Sequence, residues 1–193
     1  MDFTEALKKY LLFLETEKNL SINTRESYRK DIRQFVGFLN LQGSGVNVDT
    51  VTNYDIRRFV VSLYGSHVPA SVARKVSSLK GFFRFLKKRK WLDTDPTQGV
   101  SAPKIPKKLP NFLSVDEVFH LLKEGVEDDP LTLRNRAILE LTYSSGLRVS
   151  EVVSLNVHDI DTSLQLVRVQ GKGRRERIVP VGEKALSAIH TYL

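Results

Sequence analysis

The 193-residue chain contains no cysteine. Disulfide bridges, thiolate zinc sites and a cysteine nucleophile are thereby excluded. It also lacks any apolar run approaching the roughly 20 residues that cross a bilayer. Its start, "MDFTEALKKY", is amphipathic and has no secretory apolar core. These absences predict a cytoplasmic protein with no membrane segment. Negative charge is the third shortage: 22 acidic residues stand against 30 basic ones, for a net charge of +8 and an isoelectric point near 9.7. Such a surplus points to a polyanionic partner, nucleic acid ahead of a membrane surface, although net charge also serves plain solubility.

Position decides between those readings. Residues 1–110 hold 20 of the basic and 10 of the acidic residues, net +10, whereas residues 111–193 hold the other 10 and 12, net −2. The surplus therefore belongs to the first part, more than solubility needs. Segment 94–110, "TDPTQGVSAPKIPKKLP", carries four of the seven prolines and no helical period, and reads as an extended basic linker that includes Lys107 and Lys108. Three parts follow: a module over 1–93, a linker over 94–110 and a second module over 111–193. With 41% hydrophobic residues there is enough apolar material for packed cores.

The first module reads as four helices. Residues 3–16 set Phe3, Leu7, Tyr10, Leu11 and Leu14 on one stripe, and a second helix after "LSINT" sets Tyr28, Ile32, Phe35, Val36 and Leu39 at the same spacing. Thr52 can cap a third, burying Ile56, Phe59, Val60 and Leu63. The fourth covers about 70–90, with Val72, Val76, Leu79, Phe83 and Leu86 inward. At about 3.6 residues per turn, its other face holds Arg74, Ser77, Ser78, Lys80, Gly81, Arg84 and Lys88. Small residues ringed by cations let a helix backbone approach a large anion, and a DNA major groove is wide enough to admit a helix. The second helix adds Arg25, Arg29, Lys30 and Arg33. Two ordinary solvated faces are the plain alternative. Phe82 and Phe85 flank the fourth helix's apolar stripe and read as core or inter-helix contacts rather than base platforms, so duplex is favoured over single strands.

In the second part, Ser114 and Glu117 have the spacing of a capping box and open a helix to about residue 124. A helix over about 131–144 buries Leu133, Ala137, Ile138 and Leu141. In "LTYSSGLRVSEVVSL" a glycine ends that helix and a new one starts at Arg148, ending near Leu155. A cation at a helix start opposes the partial positive charge there, unless an anion sits between the two. The other reading is an ion pair with Glu151, three residues on along the same face. "LQLVRVQGKGRRERIVPV" reads as two strands around a Gly-Lys-Gly turn, followed by a last helix from about Glu183. Lys172 at that tip is by itself an ordinary exposed turn lysine.

Three stretches together resemble the tyrosine site-specific recombinases of the phage integrase family, Xer-type: "LSINTRESYRKDIRQFVGFL", "YSSGLRVSEVVSLNVHDID" and "VQGKGRRERIVPV". The resemblance implies a mainly α fold, with a four-helix SAM-like core-binding domain and an incomplete mixed α/β catalytic domain carrying a small antiparallel hairpin. It implies metal-free and cofactor-free DNA strand exchange. A tyrosine attacks the scissile phosphodiester, a phosphotyrosine bond forms and a 5′ hydroxyl leaves. Residue by residue, Arg148 matches the family's first catalytic arginine, Lys172 its general-acid lysine and Glu151 the acid that steadies the arginine. Arg174 and Arg175 join the DNA-contacting set.

The family's second arginine, its histidines and the tyrosine have no counterpart in these residues. His67, His120, His158 and His190 do not precede an arginine at the family spacing, and Tyr192 has no arginine beside it. The expectation is a C-terminally truncated recombinase, monomeric, clamping duplex DNA between its modules and inactive alone. Full-length relatives would form a tetramer on two duplexes. The alternative is a non-catalytic DNA-binding accessory or antagonist on the same scaffold.

Overall fold

Asp2, Ser21 and Thr52 each open a helix with the side chain. Asp2 accepts from the Thr4 N–H at 2.9 Å, Ser21 from that of Thr24 at 3.4 Å, and Thr52 shares a reciprocal capping box with Asp55. The computed structural model describes residues 1–41, 47–106, 109–123, 129–171 and 175–193. Among them the chain forms two compact units, Met1–Lys108 and Leu109–Leu193. The described residues are mostly helical with one small antiparallel sheet, and no helix among them is long and apolar enough to cross a membrane.

Unit 1 contains α1 (Phe3–Thr16), α2 (Ile22–Asn40), α3 (Asn53–Leu63) and α4 (Pro69–Lys88), the last opened by a proline whose missing N–H costs a first turn nothing. The inward residues named from spacing in α3 and α4 are all buried, and so are Phe82 and Phe85. Aromatic rings supply much of this core. Phe35 meets Phe59 edge to face at 5.2 Å, Tyr10 meets Phe82 at 5.4 Å, and Phe13 stacks on Phe85 at 4.7 Å.

The segment from 94 packs onto this unit before it can act as a free linker. Val100 joins the aromatic core, Thr97 is buried, and the Asn53 side chain donates to the carbonyls of Pro96 and Gln98, both at 2.9 Å. Two hydrogen bonds and a buried apolar side chain hold the chain there.

Unit 2 contains α5 (Val115–Lys123), α6 (Pro130–Ser145), α7 (Val149–Val153), β1 (Ile160–Asp161), β2 (Leu166–Gln170), β3 (Glu176–Pro180) and α8 (Glu183–Tyr192). The sheet order is β1-β2-β3, antiparallel throughout, with β2 and β3 in register from Leu166 opposite Pro180 to Gln170 opposite Glu176. Val167 and Val169 face inward and Arg168 outward, the alternation expected of a one-sided sheet. They pack with Leu141, Leu147, Val181 and Ala185. Gly146 closes α6 in the left-handed conformation, φ +59°, which a glycine adopts without a Cβ penalty. Ile138, expected inside, is 41% exposed, because nothing among the described residues covers that side of α6. The short β1 was not anticipated, since two residues carry no readable period.

Candidate functional site

Arg148 is the N-cap of α7. That helix has five residues and ends at Val153 rather than near Leu155. The ion-pair reading holds. The Glu151 carboxylate accepts from the Arg148 backbone N–H at 2.8 Å and from Arg148 Nη1 at 3.0 Å. The Glu151 side chain is 3% exposed while that of Arg148 is 71% exposed, so the carboxylate anchors the arginine from beneath and leaves most of it open. A planar, permanently charged fork held in that way suits two phosphate oxygens.

A second arginine, missed in the sequence, completes the cluster. Arg177 on β3 grips Glu151 with both terminal nitrogens, Nη1 on Oε1 and Nη2 on Oε2 at 3.0 Å. Foremost through this fork, and then through the Arg148 backbone N–H, the Glu151 pKa is pulled down from the usual 4.5 to about 2. No local pattern could reveal Arg177, because its partner lies 26 residues away across a strand.

The Gly171 end of the β2–β3 pair meets the same cluster. The Gly171 N–H donates to the Arg175 carbonyl at 2.7 Å, and a Cβ on Gly171 would stand 3.5 Å from Arg177 Nη1 and 3.8 Å from Glu151 Oε1. Arg175 is exposed. Lys172 and Arg174 lie outside the described residues, as do Lys107 and Lys108. Of the histidines, His158 is exposed beside Asp159.

In unit 1 the basic faces divide into held and open cations. On α2, Arg25 pairs with Glu15 at 2.6 Å and Arg29 with Glu26, while Lys30 and Arg33 are exposed without a partner among the described residues. On α4, Ser77, Arg84 and Lys88 are exposed and Lys80 is half-buried. Arg74 is exposed yet pairs with Asp31, which is 1% exposed. Asp31 also accepts from Lys75 Nζ at 3.2 Å and from Ser78 Oγ at 2.8 Å. Two residues expected on the outer face are therefore corrected. Ser78 is fully buried in the α2–α4 seam, and Gly81 lies under the Tyr10 hydroxyl, 2.6 Å from where a Cβ would stand. Its small size serves helix packing. Asp31 and Lys75 were also missed, because their contacts span 44 residues of sequence.

Comparison with known proteins gives these surfaces a context. The model described as phage integrase, N-terminal SAM-like domain, matches residues 7–90, and that of the phage integrase family matches 111–193. Tyrosine recombinase XerC of Syntrophus aciditrophicus is 39% identical over 98% of this chain and 63% of its own length. Tyrosine recombinase XerD of Halalkalibacterium halodurans is 38% identical over 97% and 63%. The chain thus spans somewhat under two thirds of these relatives. Among solved structures, a lambda integrase dimer bound to a COC′ core site matches with a TM-score of 0.74 at 21% identity, over 99% of this chain and 68% of that one. At that identity the likeness speaks for the fold.

Proposed function

Since the chain belongs to the phage integrase family, with Xer-type recombinases as relatives, we propose that it is the DNA-binding part of a tyrosine recombinase. On this reading α2 and α4 lie against duplex DNA through Lys30, Arg33, Arg74, Ser77, Lys80, Arg84 and Lys88, with Arg25 and Arg29 adding charge from within ion pairs. Lys107, Lys108, Arg174 and Arg175 extend the contact. Arg148 meets the scissile phosphate and Lys172 donates a proton to the leaving 5′ oxygen. The observation that carries this is the open Arg148 head above a buried, doubly anchored Glu151. Prearranged positive charge at a phosphate is worth several kcal/mol as negative charge builds on its oxygens.

Strand cleavage also needs a nucleophile held in line with that phosphate. On this reading these residues do not supply it, since Tyr192 has no arginine beside it. The 193 residues are therefore proposed to bind duplex DNA as a monomer without cutting it, whereas the longer relatives would exchange strands as a tetramer. A mobility-shift titration tests the binding. Arg84→Ala should weaken duplex affinity and Lys172→Ala should leave it nearly unchanged. Equal losses, or preference for structured RNA at equal salt, would refute the assignment. Incubation with a suicide duplex should yield no covalent adduct.

A further inference from the structure

Glu151 poses an electrostatic problem for the site just proposed. A buried carboxylate within 3.0 Å of Arg148 would by itself cancel the charge that a phosphate is meant to meet. Arg177 answers it. Each Glu151 oxygen receives one N–H from each arginine: Oε1 from Nη1 of both, and Oε2 from Arg177 Nη2 and the Arg148 backbone. The trio of side chains then carries a net charge of +1. Arg148 commits only one side-chain N–H to Glu151, and a guanidinium has about five, so most of its fork stays free in the exposed head.

Arg177 also joins two elements. It sits on β3 while its partner lies in α7, and Gly171 at the end of β2 comes so near that a Cβ would touch Arg177 Nη1 at 3.5 Å and the Arg175 carbonyl at 3.3 Å. The β2–β3 pair is thereby fastened at its Gly171 end to the helix that Arg148 caps.

We infer that Arg177 is a positioning residue: by holding Glu151 with a two-point fork it keeps that carboxylate from cancelling the Arg148 charge and leaves the Arg148 head available to a phosphate, and it ties the Gly171 end of the β2–β3 pair to α7. This rests on Arg148 binding phosphate. The test is a double-mutant comparison on the full chain, read by fluorescence anisotropy with a short mixed-sequence duplex. Arg148→Ala should weaken binding about tenfold, the size of one charge-assisted contact. Arg177→Gln should lose a similar amount, and the double variant no more than either alone. A role confined to folding would instead add its loss to that of Arg148→Ala. Arg177→Lys keeps the charge without the fork. It should lose about threefold, again only when Arg148 is present, and it carries the test if circular dichroism shows Arg177→Gln unfolded. Wild-type affinity in both Arg177 variants, beside a weakened Arg148→Ala, would overturn the inference alone. Wild-type affinity in Arg148→Ala would overturn the phosphate reading and this inference with it.

Discussion

At the scale of single residues, the site turns on one carboxylate. Glu151 titrates at about 2 in the fold and near 4.5 when unconstrained. Its depressed value means that ionised Glu151 stabilises the native state above pH 4.5, and that this contribution is lost as the pH falls from 4.5 towards 2. Glu151→Gln should therefore lower the urea midpoint of unit 2 at neutral pH, with the gap from wild type closing steadily below pH 4.5. A constant gap across that range would show that charge is not what Glu151 contributes. The pairing of Arg148 with Glu151 was legible in advance, because three residues along a helix make neighbours by geometry alone. Arg177 was not, because strand register decides which distant side chain meets which carboxylate, and register follows from packing rather than from spacing.

At the scale of elements, α4 meets α2 through a polar lock and α1 through a close approach. Asp31 is enclosed there by Arg74, Lys75 and Ser78, and Lys75 Nζ also donates to the Gln34 side chain at 2.6 Å. Removing the carboxylate strands a nearly buried lysine, so Asp31→Ala should cost unit 1 about 3 kcal/mol by chemical denaturation. Because Arg74 then loses its anchor, the same variant should loosen duplex binding; unchanged stability would mean that water replaces Asp31 without loss. Gly81 plays the second part. A Cβ there would meet the Tyr10 hydroxyl at 2.6 Å, so even Gly81→Ala forces that ring aside, and a destabilisation of about 1–3 kcal/mol is expected despite the gain in helix propensity. Helix ends were readable because Thr52 and Ser114 at starts and Gly146 at a finish act through bonds a few residues long. The face of α4 was readable only in part. Ser78 and Gly81 look exposed by angle, yet a buried acid and a tyrosine from other helices claim them.

At the scale of the molecule, the two units are unequally built. Unit 1 encloses a cluster of 21 buried apolar residues among those described, many of them aromatic, whereas the main cluster of unit 2 has six. In unit 2, Leu131, Ile138 and Tyr143 of α6 remain exposed, together with Tyr192 at the end of α8. Buried apolar area is the chief stabilising term, at roughly 25 cal/mol per Å², so the smaller core should yield first. Urea unfolding is expected in two steps, with exchange of backbone amides in α6 and α8 preceding that in α2 and α4. A single transition seen alike by every probe would show that the units fold as one. Charge divides along the same line. With +10 on residues 1–110 and −2 on the rest, unit 1 should set the salt dependence of duplex binding. Each phosphate contact contributes about 0.9 to the slope of log affinity against log salt. Arg84→Ala should accordingly flatten that slope by about one contact. Unit 1 carries its own core, so residues 1–108 alone should retain most of the slope, even though they lack Arg148. A slope that collapses on removing residues 109–193 would instead place the main phosphate contacts in the second unit, against the sign of its charge.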